Sequence, residues 1–122
     1  MVNVTAVQGE IITFETDAIV VNIFDGATSP VGAGGDVDKA LDGAITALIA
    51  DKEITGKQNE LAMIHTLGKL PSKRVVVLGL GKREKFTAET VRSTSAVVAR
   101  YLRRIGAKKA AMLILGAGIG GL

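Results

Sequence analysis

The sequence contains no cysteine and a single histidine, His65, among its 122 residues. Without cysteine, the chain forms neither a disulfide scaffold nor a metal site built from thiolates. His65 by itself does not make a metal site, which needs three or four ligands. It lies in an apolar stretch and is predicted to be a core or sheet-edge residue rather than a general base, because no nucleophile and orienting partner are identified for it.

Long hydrophobic runs are also missing. The longest, such as VVVLGLG, have the length of a strand and are far too short to span a bilayer. The opening MVNVTAVQGEIITF has no basic region followed by an apolar run, so no signal peptide is expected and a cytoplasmic protein is predicted. With 48% hydrophobic residues, the chain is expected to form one domain with a buried core.

Charge is distributed unevenly along the chain. Residues 1–60 hold three lysines and ten acids, a balance of −7, whereas residues 61–122 hold twelve bases and two acids, a balance of +10. Such asymmetry is typical of a face for nucleic acid or another acidic partner. The alternative, which we favour, is that the two halves attract each other within one fold or across subunits.

The apolar pattern predicts alternating strands and helices. Strands are expected at 2–8, 17–24, 61–67, 74–80 and 110–115, with a further short one at 10–14. One helix is expected from about Asp36, which is a candidate cap together with Asp38, and a second between Thr87 as cap and Gly106 as stop.

The predicted core positions of the two helices recur at helical spacing. They are Val37, Leu41, Ala44, Ile45, Leu48 and Ile49 in the first, and Val91, Ala96, Val98, Ala99, Leu102 and Ile105 in the second. This order predicts a mixed α/β sheet flanked by helices. Two long helices are few for a sheet covered on both faces, so the chain is expected to be incomplete at its carboxy end.

Three glycine-rich stretches follow predicted strands: GAGGD at 32–36, LGLGKRE at 78–84 and GAGIGG at 116–121. If the strands are parallel, these loops meet at one rim of the sheet, where α/β proteins bind ligands. The candidate rim for an anion or nucleotide consists of Asn22, Gly34, Gly35, Asp36, Gly79, Gly81, Gly116 and Gly118. The alternative is that the glycines only allow turns, since the Asp36 carboxylate would repel a phosphate and the Lys-Ser/Thr of a P-loop is missing.

The strand DAIVVNIF followed by GGDVDKALDGAI resembles the pattern of macro domains, which bind ADP-ribose. In that pattern an asparagine directly follows Asp-Ala-Ile-Val, whereas here Val21 intervenes and Asn22 comes one place later. A shift of one residue turns a strand side chain to the opposite face. The equivalence of Asn22 with the ligand-reading asparagine therefore stays open, and the residues of ADP-ribose hydrolases are not matched.

A longer resemblance runs over essentially the whole chain. The ordered series TGK, LGKLPSKRV, VLGLGKREKFT and GAGIGGL is similar to the amino-terminal domain of cytosolic leucyl aminopeptidases. The resemblance implies a macro-domain-like mixed sheet for residues 1–122, and a non-catalytic fragment that is inactive alone. It implies that two divalent metal ions, zinc or manganese, are held by a missing catalytic domain, because the family's Asn-Thr-Asp-Ala-Glu-Gly-Arg run is absent here.

The same resemblance implies the partners of this chain. They are its own catalytic domain, sister subunits of a homo-hexamer and, in some bacterial members, DNA. The candidates for phosphate contacts are Arg92, Arg100, Arg103, Arg104, Lys108 and Lys109. Only Tyr101 is aromatic nearby, which argues against base stacking on single strands. The leading hypothesis is thus an assembly or regulatory domain of an aminopeptidase, with a nucleotide-binding module and a DNA-contacting domain as alternatives.

Overall fold

A computed structural model describes residues 3–7, 11–13, 15–30 and 32–113. The strands are β1 (Asn3–Val7), β2 (Ala18–Ile23), β3 (Leu61–His65), β4 (Arg74–Gly79) and β5 (Lys109–Leu113). The helices are α1 (Ala33–Ala40), α2 (Ala44–Ala50) and α3 (Ala88–Arg104), with short 3-10 helices at Ile11–Thr13 and Arg83–Lys85. No helix in these ranges is both long and apolar enough to cross a membrane.

The five strands form one mixed sheet in the order β1-β5-β2-β4-β3. Neighbours among β1, β5, β2 and β4 pair in parallel, and β3 pairs antiparallel with β4 at the edge. The interior strand β2 is hydrogen-bonded on both sides, and its first four residues are buried, which explains their uninterrupted apolar sequence. The predicted mixed α/β sheet is confirmed.

Side chains of β2 alternate between two separate hydrophobic cores. Ile19, Val21 and Ile23 pack with α1 and α2 on one face of the sheet. Ala18 and Val20 pack with α3 on the other face. The two helical layers therefore lie on opposite sides of the sheet, and each fully buried aliphatic side chain contributes about 1.5 to 3 kcal/mol to folding.

The single helix predicted from Asp36 is wrong, because the chain forms two helices with a break at residues 41–43. Gly43 has a φ of 81° and is the N-cap of α2. The carboxylate of Asp38 in α1 accepts hydrogen bonds from the N–H groups of Ile45 and Thr46, at 2.8 and 3.0 Å, and from the Thr46 hydroxyl. Asp38 thus caps the second helix from within the first, since the first N–H groups of a helix lack partners inside it.

The expected strand at 10–14 is also wrong in the part that the structure describes. Ile11–Thr13 forms a 3-10 helix. The connection from β1 to β2 passes β5, which lies between them in the sheet, so this segment has no neighbouring strand position to occupy.

The predicted ends of α3 are confirmed, but two of its predicted core positions are wrong. Thr87 is the N-cap and forms a capping box with Thr90, and Gly106 ends the helix with a φ of 81°. Ala96 and Ala99 are exposed rather than in the core, and threonines at 90 and 94 are buried instead. The Thr94 hydroxyl donates to the Thr90 carbonyl at 2.8 Å, which removes the cost of burying it.

The loop between β3 and β4 contains a turn that is unfavourable for its sequence. Leu67 and Gly68 have φ values of 53° and 86°, and the Lys69 N–H donates to the Thr66 carbonyl at 3.0 Å. Both central φ values are positive, as in a type I′ turn, which favours Asn, Asp or Gly. Leu67 is 87% exposed, so little packing compensates the strain.

Replacing Leu67 by Asn should raise the free energy of unfolding by about 1 kcal/mol, because asparagine tolerates the left-handed conformation. Urea unfolding followed by circular dichroism measures the change. The control is Leu70→Asn, three residues later and only 7% exposed; it should lower stability because it buries an amide. A lower midpoint for Leu67→Asn would show that the leucine side chain is stabilising.

Candidate functional site

The carboxyl ends of β2 and β4 lie at the same edge of the sheet, because these strands are parallel. Two open depressions lie there. One, of about 400 Å³, is lined by residues 24–27 and 82–84. The other, of about 490 Å³, is lined by residues 25–28 together with residues from the end of α2 and the following loop. The loop 25–27 borders both, so this edge is the candidate site that the strand order predicts.

Phe24, which lines the smaller depression, belongs to an aromatic pair. The rings of Phe24 and Phe86 meet edge to face with centroids 5.4 Å apart. The guanidinium carbon of Arg83 lies 4.3 Å from the centroid of Phe24. This cation–π contact holds a positive charge at the rim, where the sequence places Lys82 and Arg83 after the strand.

The motif TGKQNE, at residues 55–60, closes the edge between the two strand ends. One carboxylate oxygen of Glu60 accepts hydrogen bonds from the N–H groups of Thr55, Gly56 and Lys57, at 2.8, 2.8 and 3.2 Å. It also accepts one from the Thr55 hydroxyl at 3.1 Å. Three successive N–H groups around one oxygen make a nest of the kind that binds anions. Here the chain's own carboxylate fills it.

Two glycines allow this loop to approach the strands. A Cβ on Gly56 would lie 2.3 Å from the Phe24 carbonyl oxygen, and one on Gly79 would lie 2.1 Å from the Lys57 carbonyl oxygen. Both contacts are with backbone, which does not move aside cheaply. The glycines at these positions are therefore required by packing.

The N–H groups of the candidate rim glycines 79 and 81 are already used. The Gly79 N–H donates to the Glu60 carbonyl, and the Gly81 N–H donates to the Gly56 carbonyl, each at 2.8 Å. Neither offers a free backbone donor to an anion. Their place at a ligand-binding rim stays a prediction.

Three of the other candidate rim residues belong to α1, and the remaining two come near the end of the sequence. Gly34, Gly35 and Asp36 lie in the first turn of α1, which has no side-chain cap at Gly32. A Cβ on Gly34 would lie 2.9 Å from a methyl group of Val21, so the helix packs closely on β2. Asp36 is exposed. Gly116 and Gly118 lie outside the described residues.

Asn22 is the one candidate whose position is energetically unusual. Its side-chain nitrogen and oxygen are both buried, and neither has a hydrogen-bond partner among the described residues. The side chain belongs to the α3 face of β2, two residues after Val20 and two before Phe24. An unsatisfied buried polar group costs about 1 to 3 kcal/mol, so this amide is a candidate for contact with a ligand.

The six basic candidates are all exposed and belong to α3 or to the segment that follows it. Arg92 pairs with Glu89 at 2.6 Å, and the Arg104 guanidinium lies 5.4 Å from the Tyr101 ring. Asp17, near the start of β5, accepts hydrogen bonds from the N–H groups of Lys108 and Lys109, which lower its pKa. The carboxylate fixes the backbone of these lysines and leaves their ammonium groups exposed.

A two-metal centre does not fit the described part of the chain. It holds no cluster of three or more His, Asp or Glu side chains that could bind a metal ion. His65 is exposed at the end of the edge strand, not in the core. Of the groups with a role at this edge, sequence reasoning missed Glu60; its signal was a carboxylate three residues after the Thr-Gly-Lys run.

Glu60→Gln should destabilise the fold by about 1 to 2 kcal/mol at neutral pH, because hydrogen bonds to a charged acceptor are lost. Burial raises the pKa of Glu60, but the hydrogen bonds from residues 55–57 outweigh it and hold the pKa below its ordinary value. The stability that depends on this charge is present above the unfolded-state pKa and is lost as pH falls through the folded one.

Urea titrations at several pH values test this. The wild type should lose stability below about pH 4.5 more steeply than Glu60→Gln. The control is Glu53→Gln, an exposed glutamate whose carboxylate has no hydrogen-bond partner among the described residues. Equal slopes for wild type and Glu60→Gln would contradict the assignment.

Most of this chain matches one known protein family. The profile of the cytosol aminopeptidase family, N-terminal domain, matches residues 20–119. A relative described as "Probable cytosol aminopeptidase" from Alkaliphilus oremlandii is 37% identical over 100 residues, which are 82% of this chain and 20% of that protein. The chain thus spans about a fifth of that relative.

Solved structures agree on the fold. A macrodomain of Trypanosoma brucei in complex with ADP matches with a TM-score of 0.75 at 14% identity, over 98% of this chain and 50% of that one. A tomato leucine aminopeptidase mutant matches with a TM-score of 0.70 at 15% identity, over 92% of this chain and 23% of that one. The expected macrodomain-like fold is confirmed. By the profile match, this chain belongs to the cytosol aminopeptidase family, as its N-terminal domain.

Proposed function

We propose that this chain is the non-catalytic assembly domain of a metal-dependent leucyl aminopeptidase that removes amino-terminal residues from peptides. The observation that carries the proposal is the match to the N-terminal domain of the family. The matched part of the chain covers 20% of its relative. Its partners are a catalytic domain and sister subunits. The zinc or manganese ions that activate water belong to the catalytic domain.

The arrangement of polar groups supports a structural role for these residues. Glu60 is occupied by loop N–H groups, Asp38 by the start of α2, and Asp17 by the start of β5. Carboxylates held in this way stabilise turns and helix ends. They lie apart from one another, so they do not offer the converging oxygen ligands that metal-assisted hydrolysis needs.

Peptidase activity tests this proposal directly. The purified chain, given leucine p-nitroanilide with Mn²⁺ or Zn²⁺, should show no release of p-nitroaniline above the metal-only control. A folded sample, verified by circular dichroism, is required for the comparison. Metal-dependent turnover that disappears with a chelator would overturn the proposal.

A second function, nucleotide binding, is favoured by two observations. The amide of Asn22 is buried without a described partner near the carboxyl end of β2, and the macrodomain matched above was solved with ADP. An asparagine amide both donates and accepts, as base or ribose recognition requires. A ligand that completes these hydrogen bonds would recover the energy lost on burying them.

Asn22→Val tests the second function by separating stability from binding. The variant should raise the free energy of unfolding by about 1 kcal/mol, because it removes two unsatisfied atoms. It should abolish the heat of ADP-ribose binding that calorimetry detects with the wild type. The reverse change, Val20→Asn on the same face, should destabilise. No heat with the wild type at millimolar ligand would end this candidate.

A further inference from the structure

The smaller depression at the carboxyl edge of the sheet carries charges of both signs. Four of the residues that line it are charged: Asp25, Lys82, Arg83 and Glu84. None of the four belongs to an ion pair found among the described residues. Two carboxylates and two cations therefore line one concave surface without pairing with each other, and a ligand that binds there meets all four charges.

The backbone explains why these charges stay apart. Asp25 lies in the loop after β2, where its N–H donates to the Gly81 carbonyl at 2.9 Å. Arg83 and Glu84 belong to the second 3-10 helix, in which successive side chains point about 120° apart. The Arg83 guanidinium is also held over the Phe24 ring, 4.3 Å from its centroid. The charges are thus presented from fixed segments, so ligand binding has little backbone to order.

A ligand that carries only one sign of charge fits this lining poorly. An anion such as phosphate would meet the carboxylates of Asp25 and Glu84, and a cation would meet Lys82 and Arg83. Like charges brought together across an interface oppose binding. A zwitterion avoids both conflicts, because its ammonium lies beside a carboxylate while its own carboxylate lies beside a cation.

The size and the apolar part of the depression narrow the ligand further. Its volume of about 400 Å³ is near the lower end of the range of about 300 to 1,000 Å³ for ligand pockets. Phe24 and Ala27 add apolar surface beside the charges. A small zwitterion with one apolar group matches these features.

We infer that this depression binds a free α-amino acid with an apolar side chain, whose ammonium pairs with Asp25 and whose carboxylate pairs with Lys82. Asp25 is half-buried, whereas Lys82 is exposed, so the ammonium contact is the stronger one. The class of ligand follows from the lining. That such an amino acid is the product released by the parent peptidase rests on the proposed function, and the domain would then sense that product.

Isothermal titration calorimetry with the wild-type chain tests the ligand class. L-leucine should bind with a Kd of about 1 mM, as expected for a small ligand in an open site. Leucinamide, which lacks the carboxylate, and N-acetyl-leucine, which lacks the ammonium, should each bind about tenfold more weakly. Glycine should also bind more weakly than leucine, because it buries no apolar side chain.

Two substitutions identify the charged partners. Asp25→Asn should weaken leucine binding about tenfold, and Lys82→Gln about threefold, which is the effect of an exposed ion pair. The matched controls are Asp51→Asn and Lys85→Gln, exposed residues that line neither depression; both should bind leucine like the wild type. Circular dichroism verifies that each variant is folded. If Asp25→Asn is unfolded, Lys82→Gln and the ligand series still decide.

No heat of binding at about 10 mM leucine would overturn the inference. Equal affinities for leucine and leucinamide would assign the depression to the amino terminus of a peptide, and equal affinities for leucine and N-acetyl-leucine would assign it to a carboxylate alone. Either result would overturn the zwitterion site. These outcomes would leave the absence of peptidase turnover, and hence the proposed function, untouched.

Discussion

The burial of β2 on both faces is the constraint from which the rest of the structure follows. Hydrogen bonds to β4 and β5 place this strand inside the sheet, so each of its faces needs a helical cover. That requirement puts α1 and α2 on one side and α3 on the other. It also brings a polar residue, Asn22, into the α3 layer near the end of the strand.

At the carboxyl edge of the sheet, the chain's own groups occupy part of the place where ligands commonly bind. In open α/β sheets this edge is the usual place for ligands. Here the Thr55–Lys57 loop covers it, held by the Glu60 carboxylate and by backbone contacts that only Gly56 and Gly79 permit. The N–H groups of residues 55–57, Gly79 and Gly81 are used internally, while the depression beside Phe24 stays open.

Acidic and basic side chains are separated because the helices that carry them cover opposite faces of the sheet. Four exposed acids of the first half lie on α1, α2 and the turns after them, and four exposed arginines of the second half lie on α3. The expectation that the halves attract each other within one fold is supported by one ion pair among the described residues, since Lys69 of the second half pairs with Asp42 of the first at 2.6 Å. The pair Arg92–Glu89 lies within the second half.

Five of the six expected strands, their alternation with helices, the caps of α3 and the family could be predicted from the sequence. These features depend on local periodicity, on capping residues and on long ordered motifs. The break before Gly43, the hydrogen bonds of Glu60 to its own loop and the burial of the Asn22 amide without a partner among the described residues emerge only in the folded chain. Each depends on which distant groups meet in space. A linear pattern reports neighbours along the chain, whereas hydrogen-bond partners and burial are fixed only when the sheet brings separate segments together.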